Sequence, residues 1–288
     1  MERYWHKMTL SLIINADDFG ARPETNAAIV RCLLEGVLTS ASLMVNEPAA
    51  REAVELRREH PHLAVGLHLT LSDGCAALPH SDIPLLTDDS NRFPSDPARA
   101  GMRYYLNRGL RKQLKAEMRA QFERYVSFEL PFDHVNGHQH MHMMSIVWDI
   151  LIPLCEEFGV HSVRIPYEEF RPANRERPIM RRIEMIFFNA VRKRNLRSLS
   201  GRSIYVADRV YGQQETGNMN ETYVLDLLTR LKGEVNEVYF HPGTLHARPL
   251  NGGGRGMDVD QHALLSAKVR RKIEELGIRL TTYTEIRG

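Results

Sequence analysis

Short apolar runs alternate with longer segments of mixed polarity along most of the chain. The first run, residues 10–16, is nearly continuous and predicts a buried strand. The next segment, Pro23–Glu35, has apolar residues at helical spacing and stops before Gly36, which is typical of a helix end. The chain therefore opens with a strand followed by a helix.

The same alternation returns several times. Six further apolar runs predict strands at residues 38–45, 63–71, 132–136, 162–165, 237–241 and 278–283. The segments between them predict helices at residues 48–60, 111–128, 146–158, 179–194 and 263–276. Repeated strand-helix units favour an α/β fold with a parallel sheet covered by helices, as an open sheet or a closed barrel.

The whole chain, residues 1–288, is expected to form a single domain, because α/β barrels of this length fold as one unit. An excursion at about residues 72–110 separates the third strand from its helix, and its proline-rich part at 78–97 is expected to be a loop. The glycine cluster at 252–256 predicts a second loop, for which a lid and a plain exposed loop stay open as alternatives.

Composition changes this picture little. Hydrophobic residues make up 43% and charged residues 26%, as in ordinary globular domains. The three cysteines are unpaired in any motif, and no signal peptide or membrane-spanning run is apparent, so a cytoplasmic location is expected. A net charge of +2 gives no global field for nucleic acid, and none is expected as a partner.

Two adjacent acids, Asp17 and Asp18, follow the first predicted strand and precede Gly20. One of them could cap the next helix, but Pro23 and Thr25 lie nearer its start. Neighbouring carboxylates repel each other unless a positive charge lies between them. From these residues alone, capping and a functional role are equal alternatives.

Histidines form the second group of interest. His68 lies inside an apolar strand, where a buried, hydrogen-bonded side chain is the simpler explanation. His138, His140 and His142 share one side of the chain if the backbone stays extended. Because imidazole is the commonest protein ligand for metals, this density favours a metal site over a histidine-rich loop.

Asp18, His68 and His138 all lie at predicted strand ends, which meet on one face of an α/β barrel. One carboxylate and two imidazoles leave coordination positions open, as in catalytic metal sites. His241 ends another strand and would join the same face. Arg164 is a charge inside a strand that needs a carboxylate partner, either at this site or in a remote core ion pair.

Three short motifs of the chain resemble those of a known family. The chain resembles the YdjC-like carbohydrate deacetylases, relatives of chitooligosaccharide deacetylase, nearly end to end. The resemblance rests on three motifs, which are residues 15–20 (NADDFG), 66–68 (GLH) and 136–142 (NGHQHMH). Residues 93–101 and 121–124 are most similar to the branch associated with hopanoid biosynthesis.

The resemblance implies an irregular (β/α) TIM-like barrel and one divalent ion, Mg²⁺ or Zn²⁺, held by Asp18, His68 and His138. Asp17 would be the general base and His241 the general acid. The implied reaction is hydrolysis of the acetamide of an N-acetylated amino sugar, and the branch implies an N-acetylglucosaminyl hopanoid lipid. Alternatives are a chitooligosaccharide deacetylase, a metal phosphoesterase and a non-catalytic sugar-binding protein.

Three interpretations stay open at this point. Either His140 or His142 could replace His138 as a ligand, or both could contact substrate from outside the metal shell. Residues 171–202 are basic and amphipathic, which suits peripheral contact with the inner face of a membrane but equally suits an outer barrel helix. A homodimer is the alternative to a monomer.

Overall fold

The computed structural model describes residues 10–107, 109–168, 178–244 and 258–287. Within the helix at 178–198 it describes the side chains of residue 186 and residues 188–198. The glycine cluster at 252–256 and the first part of the basic segment, residues 171–177, lie outside the described residues.

Strands and helices alternate along the described chain. The strands are β1 (Ser11–Phe19), β2 (Ser40–Leu43), β3 (Ala64–Leu69), β4 (Val135–Gly137), β5 (Arg209–Tyr211), β6 (Val235–Phe240) and β7 (Arg279–Thr281). The helices are α1 (Pro23–Glu35), α2 (Ala50–Glu59), α3 (Pro97–Leu106), α4 (Leu110–Ser127), α5 (Ser145–Glu157), α6 (Pro178–Ser198), α7 (Glu221–Leu228), α8 (Val259–Leu265), α9 (Ala267–Glu275) and α10 (Tyr283–Arg287). A 3-10 helix, His138–Met143, connects β4 to α5. None of the described helices has both the length and the apolar composition needed to cross a bilayer.

The strands form one parallel sheet in the order β4-β3-β2-β1-β6-β5, with β7 pairing alongside the first residues of β1. The segment at 162–167 connects the two ends of this order. Its Val163 bridges Val135 of β4, and its Tyr167 bridges Val210 of β5. The sheet is therefore curled into an irregular TIM-like barrel, which confirms the predicted fold class.

Alternate residues of β1 separate into two environments. Leu12 and Ile14 pack in the large core that the helices share with the outer side of the sheet. Ile13 instead packs with Val210 and Tyr239 in a small cluster enclosed by the strands. Since side chains alternate along a strand, Asn15 and Asp17 continue the enclosed side, and the barrel interior becomes polar toward the strand ends.

The structure differs from the predicted elements in four places. The run at 162–165, predicted as a strand, forms only isolated bridges, because it meets each neighbouring segment at a single residue pair. The excursion contains α3, whose first turn is capped by the Asp96 carboxylate through the amides of Ala98 and Arg99. The helix predicted at 263–276 is two helices, because Ser266 ends α8 and caps α9. The elements β5 and α7 are not among the predicted ones, because they have too few residues to give a clear periodic pattern.

Candidate active site

The two adjacent acids lie in a bulge at the end of β1. In the register with β2, Ala16 pairs with Ala41 but Phe19 pairs with Leu43, so β1 contains one extra residue. Asp18 adopts a left-handed φ of 66°, which an aspartate tolerates better than most residues. A regular strand would point adjacent side chains to opposite faces, whereas the bulge directs both carboxylates toward the barrel interior.

Three donor atoms from different elements of the barrel meet at this point. The carboxylate Oδ1 of Asp18 lies 3.3 Å from Nε2 of His68 and 3.0 Å from Nδ1 of His138. The two ring nitrogens are 3.3 Å apart. Ligands about 2.1 Å from one ion are about 3.0 Å apart at right angles and about 3.4 Å apart at tetrahedral angles. The spacing therefore fits one divalent ion.

The hydrogen bonding of His68 supports the same conclusion. Its Nδ1 lies 2.6 Å from Oδ1 of Asn136, an oxygen that can only accept, so Nδ1 carries the proton. The other ring nitrogen, Nε2, faces the Asp18 carboxylate, which is where a metal-binding imidazole would direct its lone pair. A hydrogen-bonded outer ring nitrogen is typical of metal-binding histidines.

The Asp17 carboxylate is held by donors on both oxygens. Asn15 and Asn136 donate to Oδ1 at 2.9 and 3.1 Å, and Arg164 donates to Oδ2 at 2.6 Å. Burial acts to raise the pKa of Asp17, but the charge and the hydrogen bond of Arg164 outweigh it and hold the pKa well below its usual range. Asp17 is therefore ionised at neutral pH.

Arg164 has a carboxylate partner at the site, Asp17, rather than only a remote ion pair in the core. This was one of the two alternatives that the sequence left open. The Nε of Arg164 donates to Glu237 Oε1 at 2.8 Å, and Nη2 lies 2.6 Å from the same oxygen. The hydroxyl of Tyr283 donates to the other Glu237 oxygen at 2.6 Å. Burial favours a lower pKa for Arg164, but Asp17 and Glu237 raise it, so the guanidinium stays charged.

A second network fixes the two asparagines. Ser42 Oγ accepts from Asn15 at 2.9 Å and from Asn136 at 2.8 Å, and it therefore donates its proton to His134 Nε2 at 3.0 Å. His134 then donates from Nδ1 to Asp133 at 2.9 Å. This buried chain fixes the orientation of the amide that holds both His68 and Asp17.

The histidine cluster does not have the extended backbone that would place its three members on one side. It forms a 3-10 helix in which Gln139 and His140 have left-handed φ angles of 50° and 56°. His138 alone reaches Asp18, whereas Nε2 of His140 lies 2.9 Å from the Tyr239 hydroxyl. His142 donates to the backbone carbonyl of Arg164 at 2.9 Å. Of the three alternatives, His138 is the one that the structure groups with Asp18 and His68.

Burial sets the charge of the other two histidines. It holds the pKa of His140 well below its ordinary value, and the nearby charge of Arg164 acts in the same direction. Burial likewise lowers the pKa of His142 to about 3, although its bond to the Arg164 carbonyl acts against this. Both rings are therefore neutral at physiological pH and belong to the packing around the site.

The donor group opens into a cleft of about 310 Å³. Nε2 of His241 lies 3.9 Å from Oδ2 of Asp17, and the His241 amide donates to the buried Asp260 at 3.0 Å. The residues lining the cleft are Asp17, Asp18, His68, Gly137, His138, Gln139, His140, Gln213, Thr216, Tyr239 and His241.

Sequence reasoning assigned no role to Asn15, Asn136, Glu237 or Tyr239. Asn15, Asn136 and Tyr239 each lie two residues before a proposed site residue, namely Asp17, His138 and His241. Glu237 lies two residues before Tyr239 on the same strand. Because alternate residues share one face, polar residues at this spacing in apolar strands were the available signal.

The chain is similar to known proteins over nearly its whole length. Residues 11–275 match the family model described as YdjC-like protein. A carbohydrate deacetylase from Brevibacillus brevis is 30% identical over 279 residues, covering 96% of this chain and all of that protein. A chitooligosaccharide deacetylase from Proteus mirabilis is 28% identical, covering 96% of this chain and 98% of its own.

Among solved structures, a proposed cellobiose-phosphate cleavage protein from Enterococcus faecalis V583 has the same fold. The TM-score is 0.72 at 24% identity, and the match covers 96% of this chain and 99% of the other. The family match over residues 11–275 identifies the chain as a member of the YdjC-like family.

Proposed function

We propose that this protein is a metal-dependent hydrolase that removes the acetyl group from an N-acetylated amino sugar. The observation that carries the proposal is the convergence of Asp18, His68 and His138 beside the ionised Asp17, at the base of one cleft. The relatives from Brevibacillus brevis and Proteus mirabilis are named as carbohydrate and chitooligosaccharide deacetylases, which supports the substrate class.

A divalent ion held by Asp18, His68 and His138 would supply Lewis acidity to the acetamide carbonyl and to water. The donor set contains two imidazole nitrogens and one carboxylate oxygen. Nitrogen donors suit zinc or another transition metal, whereas magnesium prefers oxygen ligands. We therefore expect a transition metal to bind more tightly than magnesium.

Asp17 and His241 would handle the protons. Water attacks the acetyl carbon while Asp17 accepts its proton, and the new C–O bond forms. Because Arg164 holds the pKa of Asp17 low, this carboxyl keeps the proton only briefly. His241 is 3.9 Å away and can carry the proton to the nitrogen as the C–N bond breaks. The products are acetate and the free amine of the sugar.

Replacement of the proposed base tests the mechanism. Asp17→Asn keeps the shape of the side chain, so metal content should stay unchanged while acetate release falls by at least a thousandfold, within the range that loss of acid-base catalysis allows. The control is Asp149→Asn, since Asp149 pairs with Arg194 on the protein surface. Full activity of Asp17→Asn would exclude Asp17 as the base.

Within this class we propose an N-acetylglucosaminyl hopanoid lipid as substrate. The similarity of residues 93–101 and 121–124 to the hopanoid-associated branch supports it, whereas the name of the Proteus mirabilis relative supports a chitooligosaccharide. Acetate release by metal-analysed protein should be measured with both substrates. Phosphate release from a phosphorylated sugar, without acetate from either substrate, would favour the phosphoesterase alternative instead.

We also propose the basic segment at 171–202 as a lipid contact, and two of its described cations pair within the protein. Arg192 lies over the ring of Tyr167 at 3.6 Å, and Arg194 is paired with Asp149 at 2.7 Å. These cations already have partners within the protein. A homodimer is likewise a proposal, which light scattering of the purified protein would test.

A further inference from the structure

The helix α3 in the excursion exposes several large apolar side chains. Met102 is 63% exposed, Tyr105 52% and Leu106 77%, while Ala100 and Tyr104 on the opposite side are buried. Exposed apolar residues are ordinary when they occur singly, but three within five residues form a patch. This α3 surface consists of Arg99, Met102, Arg103, Tyr105 and Leu106.

The chain segment that carries the α3 surface is strongly basic. From residue 96 to residue 115 the sequence has one acid, Asp96, and six cations, namely Arg99, Arg103, Arg108, Arg111, Lys112 and Lys115. The single acid caps the first turn of α3. Arg99, Arg111 and Lys112 form no ion pair with any part of the chain that the structure describes.

Apolar and basic side chains share one stripe of this helix. Arg99, Met102, Arg103 and Leu106 follow the i, i+3, i+4, i+7 spacing and therefore lie on one face. They also line one shallow surface groove together with Asn107, Gly109 and Leu110. The face thus combines apolar groups that can leave water with cations that remain beside them.

The α3 surface lies at the same end of the barrel as the cleft. The Tyr104 hydroxyl donates to the carbonyl of Leu71, two residues beyond the end of β3. Tyr105 shares a 2.7 Å hydrogen bond with Ser145, which follows the 3-10 helix that begins at His138. A partner bound to α3 would therefore lie near the opening of the candidate active site.

We propose that the α3 surface docks onto an anionic lipid bilayer. A second copy of this chain fits poorly, because a two-fold contact would bring the same cations together. Apolar side chains that protrude beside unpaired cations match the pattern of peripheral membrane binding, in which the apolar groups enter the interface and the cations contact acidic headgroups. The proposal is independent of the deacetylation chemistry, although docking would bring the cleft to a lipid-linked substrate.

Vesicle binding tests this proposal with a matched control. Co-sedimentation of the full chain is measured with phosphatidylglycerol vesicles and with phosphatidylcholine vesicles at low salt. The double variant Met102→Asp/Leu106→Asp should bind the anionic vesicles at least tenfold more weakly. The control is Leu34→Asp on α1, since Leu34 is also 63% exposed but lies outside the basic region. It should bind like the unchanged protein.

Two further measurements separate the outcomes. Neutralising Arg111 and Lys112 to Gln should weaken binding to the anionic vesicles and reduce its salt dependence. Thermal unfolding of all variants should match the unchanged protein, because each altered side chain is exposed. Equal sedimentation with both lipids, or unchanged binding of the Asp double variant, overturns the proposal. Light scattering that shows a dimer abolished by the double variant, without vesicle binding, would assign the surface to self-association and equally overturn it.

Discussion

Substitution of Glu237 by Gln tests whether the buried ion pairs behind the site stabilise the fold. Glu237 and Arg164 are both fully buried. One Glu237 oxygen is in contact with Nε and Nη2 of Arg164 at 2.8 and 2.6 Å, and the other accepts from Tyr283 at 2.6 Å. Gln keeps the volume of the side chain but removes its charge.

The magnitude follows from two hydrogen bonds, to Arg164 Nε and Tyr283, and one ion-pair contact with Arg164 Nη2. Hydrogen bonds to charged groups contribute about 1.5–3 kcal/mol and neutral ones about 0.5–1.5 kcal/mol, so each hydrogen bond loses about 1 kcal/mol. The ion-pair contact is expected to lose a similar amount. The expected loss in unfolding free energy is about 3 kcal/mol, at the lower end of the roughly 3–5 kcal/mol for breaking a buried pair. The expected loss is at the lower end because Asp17 still pairs with the Arg164 guanidinium in the variant.

Chemical denaturation measures this loss directly, and thermal unfolding should show a midpoint roughly 6–12 °C lower, at about 2–4 °C per kcal/mol. Glu157→Gln is the control, because Glu157 also pairs with an arginine, Arg119, but its side chain is 50% exposed. That substitution should cost much less stability than Glu237→Gln, because solvent screens an exposed ion pair. Equal losses of unfolding free energy in the two variants would show that burial does not strengthen the Glu237–Arg164 pair.

Three further predictions concern pH, packing and metal. Burial keeps His142 neutral with a pKa of about 3 against an ordinary 6.5, so below pH 6.5 the unfolded chain binds a proton that the folded chain does not. The unfolding free energy should therefore fall by up to about 1.4 kcal/mol per pH unit as the pH is lowered from 6.5 to 5. In chemical denaturation, the His142→Gln variant should lack this contribution to the pH dependence. A Cβ at Gly66 would lie 2.5 Å from the carbonyl oxygen of His134, so Gly66→Ala should lower the thermal midpoint, whereas Gly109→Ala should have little effect. Chelation should abolish acetate release and lower the thermal midpoint, and added zinc should restore both if the proposed metal site is right; a chelated enzyme with full activity would contradict it.

The sequence by itself determined the alternation of strands and helices and which polar residues end the strands. Apolar runs identified β1, β3, β4 and β6 because burial on both sides requires them. Asp17, His68 and His241 could be placed on one face because the ends of parallel strands converge in a barrel. The same alternation would also have identified Asn15 and Glu237 as interior residues.

The tertiary structure decided how neighbouring polar residues divide their roles. Strand alternation alone would send Asp17 and Asp18 to opposite faces, and only the bulge brings both carboxylates inward. The left-handed turn at Gln139 and His140 likewise separates His138 from His142, which an extended chain would have kept together. These backbone changes and the partners of Arg164 depend on contacts between residues far apart in sequence, and a local pattern carries no information about such contacts.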